Sequence, residues 1–179
     1  MTPDEPWAAL RLRGILPTPC RVLFVGINPG VRSAQTGHHF AGYSNRFWKL
    51  LHDSGLIPEP IGAFDDRRLA EWGYGLTNLV ARPTPGINDL RPAELQRGRA
   101  MLQRRIRRTR PQIVALVGVT LYRALFPERA SDRSPVIGLR AERLSGAAVF
   151  VLPNPSGRNA NFSYDEMRAA FEALASRLA

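Results

Sequence analysis

The chain holds one cysteine and one lysine among its 179 residues. With Cys20 alone, no internal disulfide forms, and no four-cysteine zinc site or iron–sulfur cluster can be assembled within the chain. Lys49 lies in a helical pattern, which argues against a lysine Schiff base as the covalent intermediate of a reaction. No apolar run reaches the ~18–20 residues that span a bilayer, so no membrane partner is expected. The opening stretch "MTPDEPWAALRLRG" carries acids and no apolar block, unlike a signal peptide, and a cytoplasmic protein is the expectation. His38 and His39 are adjacent, a poor arrangement for chelating one ion, and no third ligand stands out; no metal and no cofactor are implied.

Acids are the other scarce class. Fifteen face 25 basic residues, leaving a formal charge of +10 and a pI near 11.2. All of the basic residues except Lys49 are arginine. Such a surface favours a polyanion, nucleic acid first, although codon bias alone also enriches arginine. The length suits one domain, 1–179, in which residues 1–19 read as a loosely ordered amino-terminal arm. There is no internal repeat and no low-complexity linker.

The patterned part alternates strands and helices. Residues 22–27 read as a strand buried on both faces. A glycine-rich loop follows to about residue 43. Residues 44–54 read as a helix with Phe47, Trp48, Leu50 and Leu51 inward and Ser44 as its cap. A short apolar piece at 76–80 leads into the loop "ARPTPGIND", punctuated by Pro83, Pro85 and Gly86. A basic helix is predicted over 92–109, a strand over 112–118, a short helix near 120–126, a hairpin arm over 136–144 and a strand over 147–153. Ser163 and Glu166 have capping-box spacing at the start of a last helix. This order predicts an α/β fold with a parallel sheet covered on both faces.

Ligands of such sheets bind at the carboxyl ends of the strands. Two strands end in Asn-Pro, at Asn28-Pro29 and Asn154-Pro155, so both loops are expected on one edge, where the two asparagines can meet. "GINPG" matches neither the Rossmann fingerprint nor a P-loop, and Gly26 and Gly30 fit turn geometry. Pro29 restricts Asn28 to extended backbone, which holds its side chain in a set direction. An asparagine so held can hydrogen-bond a base amide or a water, but it cannot serve as a strong general base. Phe40 and Tyr43, beside a basic surface, have the chemistry of base stacking, although a loop phenylalanine also serves as packing. "NPSGRNANF" has Gly157 and Arg158 at its tip. It suits close approach to a phosphate backbone or insertion into a duplex, and it also reads as an exposed loop before a capped helix.

The blocks "GINPG", "TGHHF", "NRFWK", "TNLVARPTPG" and "LPNPSGRNA" occur in that order. Together they resemble the mismatch-specific uracil-DNA glycosylase and thymine-DNA glycosylase family of the uracil-DNA glycosylase superfamily, over about residues 20 to 178. The resemblance implies one three-layer α/β/α domain with a short central parallel sheet. It implies a DNA repair glycosylase that acts on double-stranded DNA containing mispaired or damaged pyrimidines, flips the target base out and leaves an abasic site; with no suitable lysine a monofunctional enzyme is expected, and a monomer is usual for enzymes that wrap one flipped base. Uracil is the implied substrate, with thymine and etheno-cytosine left open. Asn28 takes the catalytic position, orienting water and touching the base. Phe40 takes the place of the aromatic that stacks on the flipped pyrimidine, and backbone amides near Ile27 and Phe40 hold the base oxygens. Ser33 lies in the segment beside the 5-position of the base. Asn154 matches the asparagine of the second motif, and Ser156, Gly157, Arg158 and Asn159 fall where the family inserts a wedge and meets the backbone.

Arg158 departs from the apolar wedge tip of bacterial members, leaving discrimination of the partner base open. Asp89 is the acid best placed to support Asn28, as a base or as electrostatic support for an oxocarbenium-like sugar; it also reads as a solvated loop acid or a partner of Arg82 or Arg91. Two other readings stay in view. One is a catalytically inactive DNA-binding module on the same fold, using the basic helix for phosphate contacts. The other is a nucleotide enzyme whose glycine loops hold phosphate.

Overall fold

Short runs of branched and aromatic residues make the strands, and their alternation feeds two separate cores. The computed structural model describes residues 5–129, 131 and 134–178. In chain order the elements are β1 (Val22–Gly26), α1 (Val31–Thr36), α2 (Phe47–Asp53), β2 (Tyr74–Asn78), α3 (Pro92–Thr109), β3 (Ile113–Val117), α4 (Val119–Leu125), β4 (Gly138–Leu144), β5 (Ala147–Leu152) and α5 (Tyr164–Ala175). Short 3-10 segments lie at Ala63–Trp72, Ile87–Asp89 and Pro127–Arg129.

Val22 and Phe24 of β1 enter one core, and Leu23 and Val25 the other. Strands β3 and β5 divide their side chains the same way. The sheet is therefore apolar on both faces and must be covered on both. Phe47, Leu50 and Leu51 of α2, with Phe171 and Leu174 of α5, cover the first face. Leu102 and Ile106 of α3, with Leu121 and Tyr122 of α4, cover the second. Truncating a residue such as Phe24, fully buried between aromatic neighbours, costs about 3–5 kcal/mol.

The strand order is β2-β1-β3-β5-β4. The first four are parallel, and β4 runs antiparallel to β5 as the edge strand. The chain leaves β1 toward β2 on one side and later returns to β3 on the other, so the order reverses between β1 and β3. Loops part at such a switch point and open a crevice at the carboxyl ends of the strands. The 28–46 and 153–162 loops both start from that edge. The amino-terminal arm lies along the free edge of β2, where Ile15 and Leu76 exchange backbone hydrogen bonds of 2.8 and 2.9 Å.

Element boundaries fall within a few residues of those predicted, and α3 has the bounds expected. The loop after β1 is not irregular throughout, because α1 occupies its first turns. Ser44 does not cap α2: the helix starts at Phe47, and its first N–H is taken by Asn45 Oδ1 at 3.0 Å. Ser163 does cap α5, accepting from the Glu166 N–H while Glu166 accepts from its own.

Candidate active site

Backbone pairing continues past the end of β1. The Gly26 and Ile27 carbonyls accept from Leu79 and Val80 at 2.8 and 2.9 Å. This pins Ile27, half-buried, and delivers Asn28 to the mouth. The Asn28 side chain is anchored there by its nitrogen. Nδ2 donates to Thr84 Oγ1 at 2.7 Å and to the Arg82 carbonyl at 3.2 Å, and the Pro29 carbonyl lies 3.4 Å away. Thr84 is 3% exposed and donates its own hydroxyl proton to the Gly86 carbonyl at 2.6 Å. Its oxygen is thus an acceptor toward Asn28, and the amide can face it only with nitrogen. Asn28 Oδ1 is left without a protein partner among the described residues, a fixed acceptor at the mouth.

The wall beside Asn28 is built by close approach. A Cβ on Gly26 would sit 2.6 Å from Asn78 Oδ1 and 3.9 Å from the tip of the Phe40 ring. The missing side chain lets Asn78, at the end of β2, and Phe40 converge over β1. Phe40 stacks on Phe47, with centroids 4.0 Å apart and planes 23° off parallel, and remains half-exposed. Its φ of 51° is the left-handed conformation, uncommon for a bulky residue and held only where the surroundings fix it.

Asp66 supplies that fixing. Its buried carboxylate accepts from the His39 backbone N–H at 3.0 Å, from His39 Nδ1 at 3.2 Å and from His38 Nδ1 at 3.1 Å. Burial pushes the Asp66 carboxyl up, but the hydrogen bonds from His39 and His38 outweigh it, leaving the group below its ordinary value. Trp48 Nε1 donates to the His39 carbonyl at 3.2 Å. Ser33, buried on α1, accepts from the Ala41 N–H through Oγ at 3.0 Å. The residues before and after Phe40 are therefore both tied down, and the Ser33 hydroxyl is engaged with this loop.

The second loop opens on the same edge, but Asn154 and Asn28 share no hydrogen bond. Asn154 is exposed. Its Oδ1 accepts from the Ser156 N–H at 3.1 Å, and its carbonyl accepts from Asn159 Nδ2 at 2.9 Å. Arg158 donates its N–H to Ser156 Oγ at 3.3 Å and stands exposed at the tip. The loop meets the first one through its own backbone: the Arg46 N–H donates to the Pro155 carbonyl at 2.9 Å. A Cβ on Gly157 would lie 2.5–2.7 Å from Ser44 atoms. The loops themselves are joined by the interlock of Gly157 with Ser44, not by a hydrogen bond between the two asparagines.

Asp89 lies at the end of a 3-10 turn, exposed. Its Oδ2 accepts from the Gly86 N–H at 3.1 Å, and its carbonyl accepts from Arg82 at 3.1 Å. It thus braces the turn whose Gly86 carbonyl orders Thr84. Arg82 forks onto Glu94 in the first turn of α3, with Nε to Oε1 at 2.7 Å and a terminal nitrogen to Oε2 at 2.8 Å. These bonds from Arg82 hold the Glu94 carboxyl down at about 2. Arg82, Asp89, Arg91 and Glu94 line a polar depression beside the mouth.

Sequence reasoning singled out Asn28 and Phe40 but passed over Thr84, Asn78 and Asp66. A polar pair, Thr77-Asn78, in an otherwise apolar strand was the available signal for Asn78. Asp66 in "FDDRR" reads as a surface acid, and nothing local marks it as buried.

A family model described as the uracil DNA glycosylase superfamily matches residues 14–175. The G/U mismatch-specific uracil DNA glycosylase of Schizosaccharomyces pombe (strain 972 / ATCC 24843) is 35% identical over 159 residues, covering 86% of this chain and 49% of that protein. The chain thus spans about half the length of this curated relative. The fold is similar to the solution NMR structure of a Methanosarcina acetivorans protein provisionally described as a uracil DNA glycosylase. The TM-score is 0.61 at 17% identity, over 94% of this chain and 97% of the other. With the family model spanning the sheet, the mouth and both loops, the chain belongs to the uracil DNA glycosylase superfamily.

Proposed function

We propose that this protein is a monofunctional DNA glycosylase that excises uracil, flipped out of mismatched duplex DNA opposite guanine. The observation that carries the reading is the anchoring of Asn28 by nitrogen alone, which presents Oδ1 at the mouth beside Phe40. Oδ1 accepts a hydrogen bond from water and turns a lone pair of that water toward C1′ of the flipped nucleotide. The C1′–N1 bond breaks, its electron pair leaves with the base, and the water oxygen bonds C1′. The uracil anion is the group to be stabilised, and backbone N–H groups near Ile27 and Phe40 are the proposed donors. Asn28 cannot accept the proton outright, so the proton passes to solvent or the departing base after the C–O bond forms.

Phe40 is the proposed platform for the flipped pyrimidine, its far face already covered by Phe47. Asn78 stands where it can read a base edge. Ser33, tied to the loop below, bounds the pocket near the 5-position and so bears on whether thymine enters. Asn154, Ser156, Gly157, Arg158 and Asn159 form the wedge loop. Arg158 fills the vacated stack and adds a contact to guanine or phosphate. For Asp89 the supported role is positioning: it acts on Asn28 through Gly86 and Thr84. Single-step hydrolysis without a Schiff base accords with the surroundings of Lys49. That residue is exposed on α2, and its hydrogen bonds to Asp53 and Tyr164 raise its pKa, the opposite of an activated amine.

The test is single-turnover reaction with a labelled duplex bearing one uracil opposite guanine, followed by alkali. Alkali-labile breaks with the parent and a fall of at least about 100-fold in Asn28→Ala are expected, a size typical of one lost orienting contact at the reacting centre. A duplex that is bound and never cut would favour the inactive binding module. A borohydride-trapped adduct would overturn the monofunctional assignment.

A further inference from the structure

The mouth uses one edge of the sheet; the opposite edge carries a concentration of charge that the excision chemistry leaves unused. Strands β1, β3 and β5 all begin there, α3 and α5 end there, and the β4–β5 hairpin turns there at Ser145–Gly146. Each of these places brings an exposed arginine. Arg21 precedes β1, Arg107, Arg108 and Arg110 close α3, Arg143 precedes the hairpin turn, and Arg177 follows α5. Arg21 reaches the Leu178 carbonyl at 2.9 Å, which draws the end of α5 against the start of β1. None of the six pairs with a carboxylate among the described residues. The nearby acids are already used: Glu71 pairs with Arg68, and Glu172 with Arg168.

Two further observations point to a bound anion rather than to diffuse charge. Arg107 and Arg110 line an open depression with Gln112, Ser145 and Gly146, so two guanidinium groups, an amide side chain and a turn share one concavity. Arg110 itself has φ 47° at the end of α3. Glycine is the unstrained residue at that position of a helix, and a long side chain there carries a conformational cost.

We propose that this edge is a second nucleic-acid surface, which takes the phosphate backbone of a duplex segment other than the one seated at the excision mouth. Strand β1 spans five residues, about 17 Å, and loops extend the separation. A straight duplex on the mouth does not reach Arg110, so the two surfaces bind separate segments. Forked guanidinium groups suit phosphate oxygens, and release of counterions drives the association. The inference rests on the reading that the mouth seats a duplex of its own; loss of excision at the mouth and loss of the second duplex at this edge are read separately.

The experiment titrates the full chain with a short undamaged duplex at low salt and reads stoichiometry by calorimetry. The parent should take two duplexes per chain, and Arg107→Gln/Arg108→Gln/Arg110→Gln should take one. The matching triple lysine variant, which keeps the charge, should restore binding at the second site. The log–log salt dependence should fall by roughly 0.9 for each phosphate contact removed. Single-turnover excision at saturating enzyme should be unchanged in the triple glutamine variant, since these side chains lie away from the mouth; this also reports an intact fold. One duplex per chain in both proteins, or an unchanged salt slope, would overturn the proposal. So would binding of poly-glutamate at this edge with no second duplex, which would mark an acidic protein segment as the partner.

Discussion

Asn28 gives a hydrogen of its amide nitrogen to Thr84 Oγ1 over 2.7 Å, and Thr84 gives its own proton to the Gly86 carbonyl. The direction of the second bond decides the direction of the first, and with it which end of Asn28 faces the mouth. Thr84→Val keeps the shape and removes the acceptor. Without it the amide can rotate about χ2 and present nitrogen where Oδ1 is needed. Single-turnover excision should fall about 10- to 100-fold, a loss of ~1.4–2.7 kcal/mol of transition-state stabilisation, with duplex affinity unchanged. Thr84→Ser should restore most of the rate. A valine variant at full rate would mean that Asn28 is oriented by the Arg82 carbonyl alone.

Gly157 is required for space rather than for backbone conformation. A methyl group there meets the Ser44 side chain and carbonyl within 2.7 Å, closer than real contacts allow, so in Gly157→Ala the wedge loop must lift from the first loop. Cleavage of the mismatched duplex should drop at least 10-fold while the melting temperature moves little, because both loops are surface segments. Adding Ser44→Gly removes two of the three clashing atoms and should recover part of the loss. Equal cleavage by parent and Gly157→Ala would show that the wedge works without the interlock.

Continuous apolar runs made β1, β3 and β5 legible, because a strand buried on both faces has no other composition. Pro92 and Glu94 at the first turn and a sustained 3.6-residue period did the same for α3. Helix α1 was hidden because six residues without a side-chain cap carry no periodic signal. The 3-10 segment at Ala63–Trp72 lacks the α period altogether. Asn28 was legible through Pro29, a local restraint. Thr84 and Asp66 were not, since their importance lies in partners 56 and 27–28 positions away. That Asn28 and Asn154 open on one edge followed from the strand directions, but the contact joining their loops, the close fit of Gly157 to Ser44, had no local signal in the sequence.

Asp66 should matter to stability and to the Phe40 pocket together. Asp66→Ala leaves two imidazoles and a buried N–H without their acceptor, a loss of about 3 kcal/mol. The folded carboxyl lies below its unfolded value of ~3.9. Its contribution is therefore fully present above that pH and is lost as pH falls through the folded value. Below pH 5 the difference in melting temperature between parent and Asp66→Asn should narrow as the carboxylate is protonated. A difference that grows on acidification would show that the carboxylate is not the stabilising form.

Glu94 tests the same logic at the other side of Asn28, through Arg82. Two charge-assisted bonds hold its carboxyl at about 2 in the folded chain, against ~4.3 unfolded. The ionised form thus favours folding above about pH 4.3, and that advantage disappears as pH drops toward 2. Glu94→Gln keeps the shape and cannot ionise, so its stability should run below the parent by a constant amount at neutral pH and converge with it near pH 2. Because the Arg82 carbonyl also accepts from Asn28, the variant should lose excision rate at pH 7, where the parent clamp is ionised. If rate is kept while stability falls, the clamp braces α3 and the loop without reaching the amide of Asn28.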